Sequence, residues 1–114
     1  MGADCLFCKF VRKEIKPDII YENDQVLVFR DIKPEAPVHA LVILKKHMDS
    51  VSAVPSGDPI VSVLTETAVK VAAQLGIAQE GFRLVFNNGP NAGEAVPHIH
   101  CHILGGRKMT WPPG

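Results

Sequence analysis

A chain of 114 residues fits one domain with one core, and 46 % apolar with 21 % charged residues describes a folded globule rather than a disordered segment. Twelve basic residues balance twelve acidic ones, so the formal charge is zero and no basic excess points to nucleic acid or an anionic membrane as partner. Any affinity for phosphate has to be local.

The first residues show no basic segment followed by an apolar run, and no stretch approaches the ~20 apolar residues of a membrane span. Three cysteines, an odd count, suit a reducing compartment better than a disulfide framework. The expectation is a soluble, cytoplasmic protein, with the nucleus as a further location. Leu6, Phe7, Phe10 and Val11 recur at helical spacing and predict a short amphipathic helix starting at or just after Asp4, a candidate N-cap. Cys5 and Cys8 have the spacing of half a tetrahedral zinc site, although a free cysteine is also a common small core residue.

Ile19–Glu22 and Val26–Arg30 are β-rich runs joined at Asn23-Asp24, which predicts a hairpin. Residues 31–37 hold two prolines and form an irregular connection. Residues 39–44 predict a third strand, apolar enough for burial on both faces, with His39 at the edge of the core. After Lys45-Lys46-His47 a loop leads to the main helix, with Asp58 as candidate N-cap, Pro59 in its first turn and Gly76 as its stop. Ile60, Val61, Leu64, Ala68, Val71, Ala72 and Leu75 give it one apolar stripe, suited to the core or to a second subunit. Residues 82–87 predict a fourth strand. The loop 88–95 then carries glycines, which let backbone N–H groups converge on an anion. Five strands and two helices, one short and one long, predict an α+β domain over residues 1–114, built on an antiparallel sheet.

The last strand carries the chemistry. Across residues 97–106 histidines and apolar residues alternate strictly, so His98, His100 and His102 share one face while Ile99, Cys101 and Ile103 take the other. Same-face residues on a strand lie ~6.6 Å apart, which puts the outer imidazoles ~13 Å apart, too far to share one metal ion. A row of reactive imidazoles is the better reading, because neutral imidazole is a competent nucleophile near neutral pH and its bond to phosphorus is labile.

His98-Ile99-His100-Cys101-His102-Ile103-Leu104 resembles the His-φ-His-φ-His-φ-φ motif of the histidine triad (HIT) superfamily. Gly105-Gly106-Arg107, Trp111-Pro112-Pro113-Gly114, Asp31-Ile32-Lys33-Pro34 and Lys45-Lys46-His47 are similar to its Hint branch, the histidine triad nucleotide-binding proteins. The resemblance implies a HIT-like fold whose five-stranded sheet continues across a homodimer, and a purine nucleoside phosphoramidase that cleaves a P–N bond. It implies His100 as nucleophile, His102 facing the phosphate and leaving amine, and His39 and His98 orienting the nucleophile from behind. It assigns Asp31 to the ribose with Ile32 beside it, Asn87 near phosphate and sugar, and Gly93, Glu94 and Ala95 to the phosphate loop. It also implies a structural zinc ion on Cys5, Cys8, His47 and His98, and a C-terminal tail that reaches the partner subunit's site. Two positions depart from the pattern: Ala95 stands where a serine is common, and Pro97 where an aromatic residue is common. Hydrolysis of dinucleoside polyphosphates, as in the Fhit branch, and a non-enzymatic nucleotide- or zinc-binding module are the alternatives.

Overall fold

The computed structural model describes residues 5–114. A short helix α1 (Leu6–Val11) precedes three strands, β1 (Ile19–Glu22), β2 (Val26–Arg30) and β3 (Val38–Leu44). The long helix α2 (Ile60–Gln74) follows, then β4 (Phe82–Val85) and β5 (His100–Gly105). The five strands form one antiparallel sheet in the order β1-β2-β3-β5-β4, so the histidine-bearing strand lies inside the sheet and β4 is an edge.

The termini of these elements follow from local chemistry. Cys5 caps α1, its Sγ accepting the Cys8 N–H at 3.4 Å, while the predicted cap Asp4 lies outside the described residues. Asn23 closes the β1–β2 turn by accepting the N–H groups of Gln25 and Val26. Asp58 accepts the Ile60 N–H at 3.0 Å at the start of α2. At the other end Gly76 takes φ +80°, and the N–H groups of Gly76 and Ile77 return to Ala73 and Ala72 in a Schellman closure.

The period of two divides the sheet into faces with different cover. On one, Val26, Val28, Ala40, Val42, Leu44, Ile99, Cys101 and Ile103 pack under Leu64, Ala68, Val71 and Ala72 of α2. Thr67 and Val63 lie on this side of the helix where the sequence suggested Val61, and the Thr67 hydroxyl is satisfied by the Val63 carbonyl at 2.7 Å. The other face carries Leu27, Phe29, Leu41 and Ile43, and α1 covers only part of it with Cys5, Phe7 and Cys8. The histidines stand on this second, partly covered face: Leu41 pairs with His102 and Ile43 with His100. Among the described residues, no helix is long and apolar enough to cross a membrane.

Candidate active site and metal centre

The regular strand begins at His100, two residues after the first triad histidine. β3 ends at Leu44, so no ladder partner remains for residue 98; the Ile99 N–H turns instead to the Met48 carbonyl at 2.7 Å. His98 keeps the facing expected of it, but its ring reaches sideways into a different group from the other two. The triad is thereby split between two sites.

The first site lies at a cavity of about 470 Å³ lined by His100 and His102, by Phe7, Phe10 and Phe29, and by Asp31, Asn87, Gly93 and Ala95. Hydrogen bonding fixes the protons here, because a carbonyl oxygen only accepts and an amide N–H only donates. His100 Nδ1 lies 2.6 Å from the His98 carbonyl, so Nδ1 carries the proton and Nε2 keeps its lone pair. His39 Nδ1 accepts the Glu35 N–H at 3.0 Å, so the His39 proton is on Nε2, which donates to His102 Nδ1 at 2.9 Å. His102 must then hold its own proton on Nε2. Two rings 4.9 Å apart thus have opposite tautomers, His100 with a nucleophilic Nε2 and His102 with an Nε2–H donor. Burial, together with the neighbouring His100 and His39, lowers the pKa of His102 to about 4, and burial also lowers that of His39. Both rings are therefore neutral near pH 7.

His39 stands against His102 rather than behind His100, which corrects its expected placement; His98 supports His100 through its backbone carbonyl. Asp31 Oδ1 accepts the Lys33 N–H at 2.8 Å and Oδ2 lies 3.5 Å from His39 Nε2. Ile32 lines the cavity beside it at 90 % exposure. The glycine loop departs from expectation. The N–H groups of Ala92, Gly93 and Glu94 bond back to Gly89 and Pro90, and the Glu94 carboxylate accepts the Gly89 N–H at 2.8 Å. Glu94 thus braces the loop and does not line the cavity. Among the described residues, the N–H groups of Ala95 and Val96 have no such partner, and both residues line the cavity.

The second site gathers Cys5, Cys8, His47 and His98, whose ligand atoms all lie within 4.8 Å of one another. Cys5 Sγ is 3.3 Å from His98 Nδ1, Cys8 Sγ is 3.3 Å from His47 Nδ1, and the two Nδ1 atoms are 3.1 Å apart. Metal–ligand bonds of 2.3 Å to sulfur and about 2.05 Å to nitrogen give tetrahedral edges of about 3.6 Å (S···N) and about 3.3 Å (N···N), so the set is within a few tenths of an ångström of a zinc site. The tautomers agree. His98 Nε2 donates to the Leu44 carbonyl at 2.6 Å and His47 Nε2 lies 2.8 Å from Asp49 Oδ1, so both Nδ1 atoms present lone pairs to one point. Two converging lone pairs repel unless a cation lies between them.

Asp31, His39 and His102 form a second compact group of potential ligands, and chemistry separates it from the first. A metal on His39 Nε2 requires the proton on Nδ1, where the Glu35 N–H already donates. That group is built as a hydrogen-bond relay. Sequence reading did not find Phe7, Phe10 and Phe29 as cavity walls, because aromatic residues at helical and strand spacing look like core. It also passed over Asp49 and the Glu35 amide, which act through partners distant in sequence or through the backbone.

The antiparallel sheet presents two imidazoles of opposite tautomer at one cavity, one with a free Nε2 lone pair and one with an Nε2–H. The HIT domain family matches residues 12–109, and the chain belongs to that family. A 14 kDa zinc-binding protein of Brassica juncea is 45 % identical, covering 97 % of this chain and all of that one. The Adenylylsulfatase HINT1 of Arabidopsis thaliana is 45 % identical over 113 residues, 96 % of this chain and 76 % of that protein. The crystal structure of a HIT family hydrolase from Legionella pneumophila superimposes with a TM-score of 0.94 at 45 % identity, covering 97 % of this chain and all of that one.

Proposed function

We propose that the protein is a hydrolase that cleaves the P–N bond of purine nucleoside 5′-phosphoramidates through a nucleotidyl-His100 intermediate. The observation that carries this reading is the pair of opposite tautomers at one cavity. His100 Nε2 attacks phosphorus, and the His98 carbonyl steadies the positive charge that develops on the ring through the Nδ1–H. As the P–N bond breaks, the nitrogen leaves as the amine with a proton taken from solvent, and the neutral His102 donates a hydrogen bond to it through its Nε2–H. Water then displaces the imidazole and releases the monophosphate. Phe7, Phe10, Phe29 and Ile32 offer apolar surface to the base, Asp31 faces the ribose hydroxyls, and Asn87, Gly93 and the amides at Ala95 and Val96 face the phosphate.

A second substrate class, adenylyl sulfate, is favoured by one feature of this site. A sulfate leaves without a proton, whereas an amine needs one, and His102 is held neutral with a pKa of about 4. The relative named as an adenylylsulfatase agrees with that chemistry.

Zinc on Cys5, Cys8, His47 and His98 belongs to the same proposal. With four protein ligands it would have no open position for water, so its contribution would be to hold elements together. We also propose a homodimer: β4 is a sheet edge, and Val69 and Trp111 are 51 % and 81 % exposed. Three free cysteines fit a reducing cytoplasm.

Adenosine 5′-phosphoramidate and adenylyl sulfate should be turned over by the wild-type protein and not by His100→Ala, which should still bind AMP in calorimetry. Retention by His100→Ala of more than about 3 % of the wild-type rate with either substrate would reject His100 as nucleophile.

A further inference from the structure

We infer that metal at the Cys5–Cys8–His47–His98 cluster builds the base-binding wall of the catalytic cavity, and so sets nucleotide affinity rather than the rate of the chemical step. This rests on the readings of the cavity as a nucleotide site and of the cluster as a zinc site.

α1 has six residues, too few turns to persist alone in water. It nevertheless supplies Leu6, Phe7 and Phe10 to the cavity. Cys5 caps it, and Cys8 lies one turn further on; their sulfurs meet His98, just before β5, and His47, just after β3. Metal bonds to these four side chains would cross-link α1 to two separate elements of the sheet. Phe7 lies between the two cysteines in sequence, and Phe10 is within the next turn. The wall is also packed into the cluster of Leu27, Phe29, Leu41 and Ile43, with Phe7 and Phe10 edge-on to Phe29 at centroid distances of 5.5 and 5.0 Å and Phe7 edge-on to His100 at 5.1 Å. Freeing the cysteines therefore removes the two cross-links of the helix that carries the residues that would cover the base and leaves it on packing alone.

The nucleophile is held by a different set of bonds. His100 sits in β5 opposite Ile43, and its Nδ1–H is held by the His98 carbonyl. That carbonyl is fixed by its own backbone, through His98 N–H to Val96 and Ile99 N–H to Met48, and by His98 Nε2–H to Leu44. None of these contacts passes through the four metal-ligand atoms. His98 thus belongs to both sites, with the metal on one ring nitrogen and the nucleophile on its carbonyl, and the hydrogen bonds that orient the nucleophile do not run through the metal.

The full chain is stripped with chelator, reloaded with zinc, and compared in three ways: calorimetric Kd for AMP, KM and kcat for adenosine 5′-phosphoramidate, and amide hydrogen exchange. Metal-free protein should show Kd and KM raised at least about tenfold with kcat within about threefold, and lost protection in α1 with β5 still protected. Phe10→Ala should still take up one zinc per chain while raising Kd. Stripping zinc from Phe10→Ala should then add little, because both changes remove the same wall. A fall in kcat at unchanged KM, unaltered α1 protection, fully additive losses, or loss of β5 protection on stripping would each overturn the inference. If loaded protein binds no AMP, the reading of the cavity fails with it; the exchange data still report separately whether metal holds α1.

Discussion

His39 Nε2 lies 2.9 Å from His102 Nδ1, and the direction of that hydrogen bond is set by the backbone four residues earlier, where the Glu35 N–H donates to His39 Nδ1. A main-chain amide thus dictates, through His39, which nitrogen of His102 carries a proton. The relay predicts unequal effects of two substitutions. His39→Gln keeps an acceptor for Glu35 and an N–H donor for His102, and should retain most of kcat. His39→Phe keeps bulk but leaves a buried acceptor unsatisfied, worth about 1 to 3 kcal/mol, and should lower kcat by about one to two orders of magnitude with AMP affinity little changed. Equal losses in the two variants would discard the relay.

Much of this site was legible in the alternation at residues 98–103, because a period of two can satisfy a buried and an open sheet face at once. The same pattern did not reveal that His98 leaves the ladder, since that depends on β3 ending at Leu44. Nor did it reveal the His39–His102 pair, which is made by strand register. The loop 88–95 read as an anion cradle from its glycines. Those glycines also serve a tight turn, with φ +89° at Gly89 and +80° at Gly93; the amides of Ala92, Gly93 and Glu94 close it, while Ala95 and Val96 line the cavity.

Acid should destabilise the protein in a window set by the buried imidazoles. His102 has an ordinary pKa of 6.5 when unfolded and about 4 when folded, so between those values the unfolded chain binds more protons and stability falls as pH falls. At 1.36 kcal/mol per unit, the full window amounts to about 3 kcal/mol, and His39 shifts in the same direction. Urea midpoints measured with chelator at about pH 7 and about pH 4.5 should drop less in His102→Gln than in wild type. An identical drop would mean that His102 is not buried neutral.

Gly105 is required by close approach rather than by backbone conformation. A Cβ there would meet Ile77 Cδ1 at 2.6 Å and Cβ at 3.1 Å, where the segment after α2 crosses β5. Gly105→Ala should cost about 1 to 3 kcal/mol in denaturant unfolding. Ile77→Val removes Cδ1, so the double variant should lose less than the sum of the two single losses by more than about 0.5 kcal/mol. Strict additivity would show that the clash is relieved elsewhere.

Ala95 offers the sharpest division between the two substrate classes. It lines the catalytic cavity and the neighbouring pocket that opens past Cys5, His47 and Asp49, so a group departing from phosphorus near His102 would pass it. A methyl gives such a group nothing, and the histidine beside the amine, with a pKa of about 4, carries no extra proton to give it near pH 7. Ala95→Ser adds a hydroxyl with room to rotate, since residue 95 is exposed. A hydrogen bond to a charged or charging group contributes about 1.5 to 3 kcal/mol, or roughly one to two orders of magnitude in rate when it forms only in the transition state. We expect kcat for adenosine 5′-phosphoramidate to rise by about tenfold or more at nearly constant KM. Turnover of adenylyl sulfate should change by less than about threefold, because sulfate departs as a stable anion and needs no donor. Parallel increases with both substrates would place the hydroxyl on the phosphate instead of the leaving group. No increase with the phosphoramidate would show that proton delivery to the amine does not limit this enzyme.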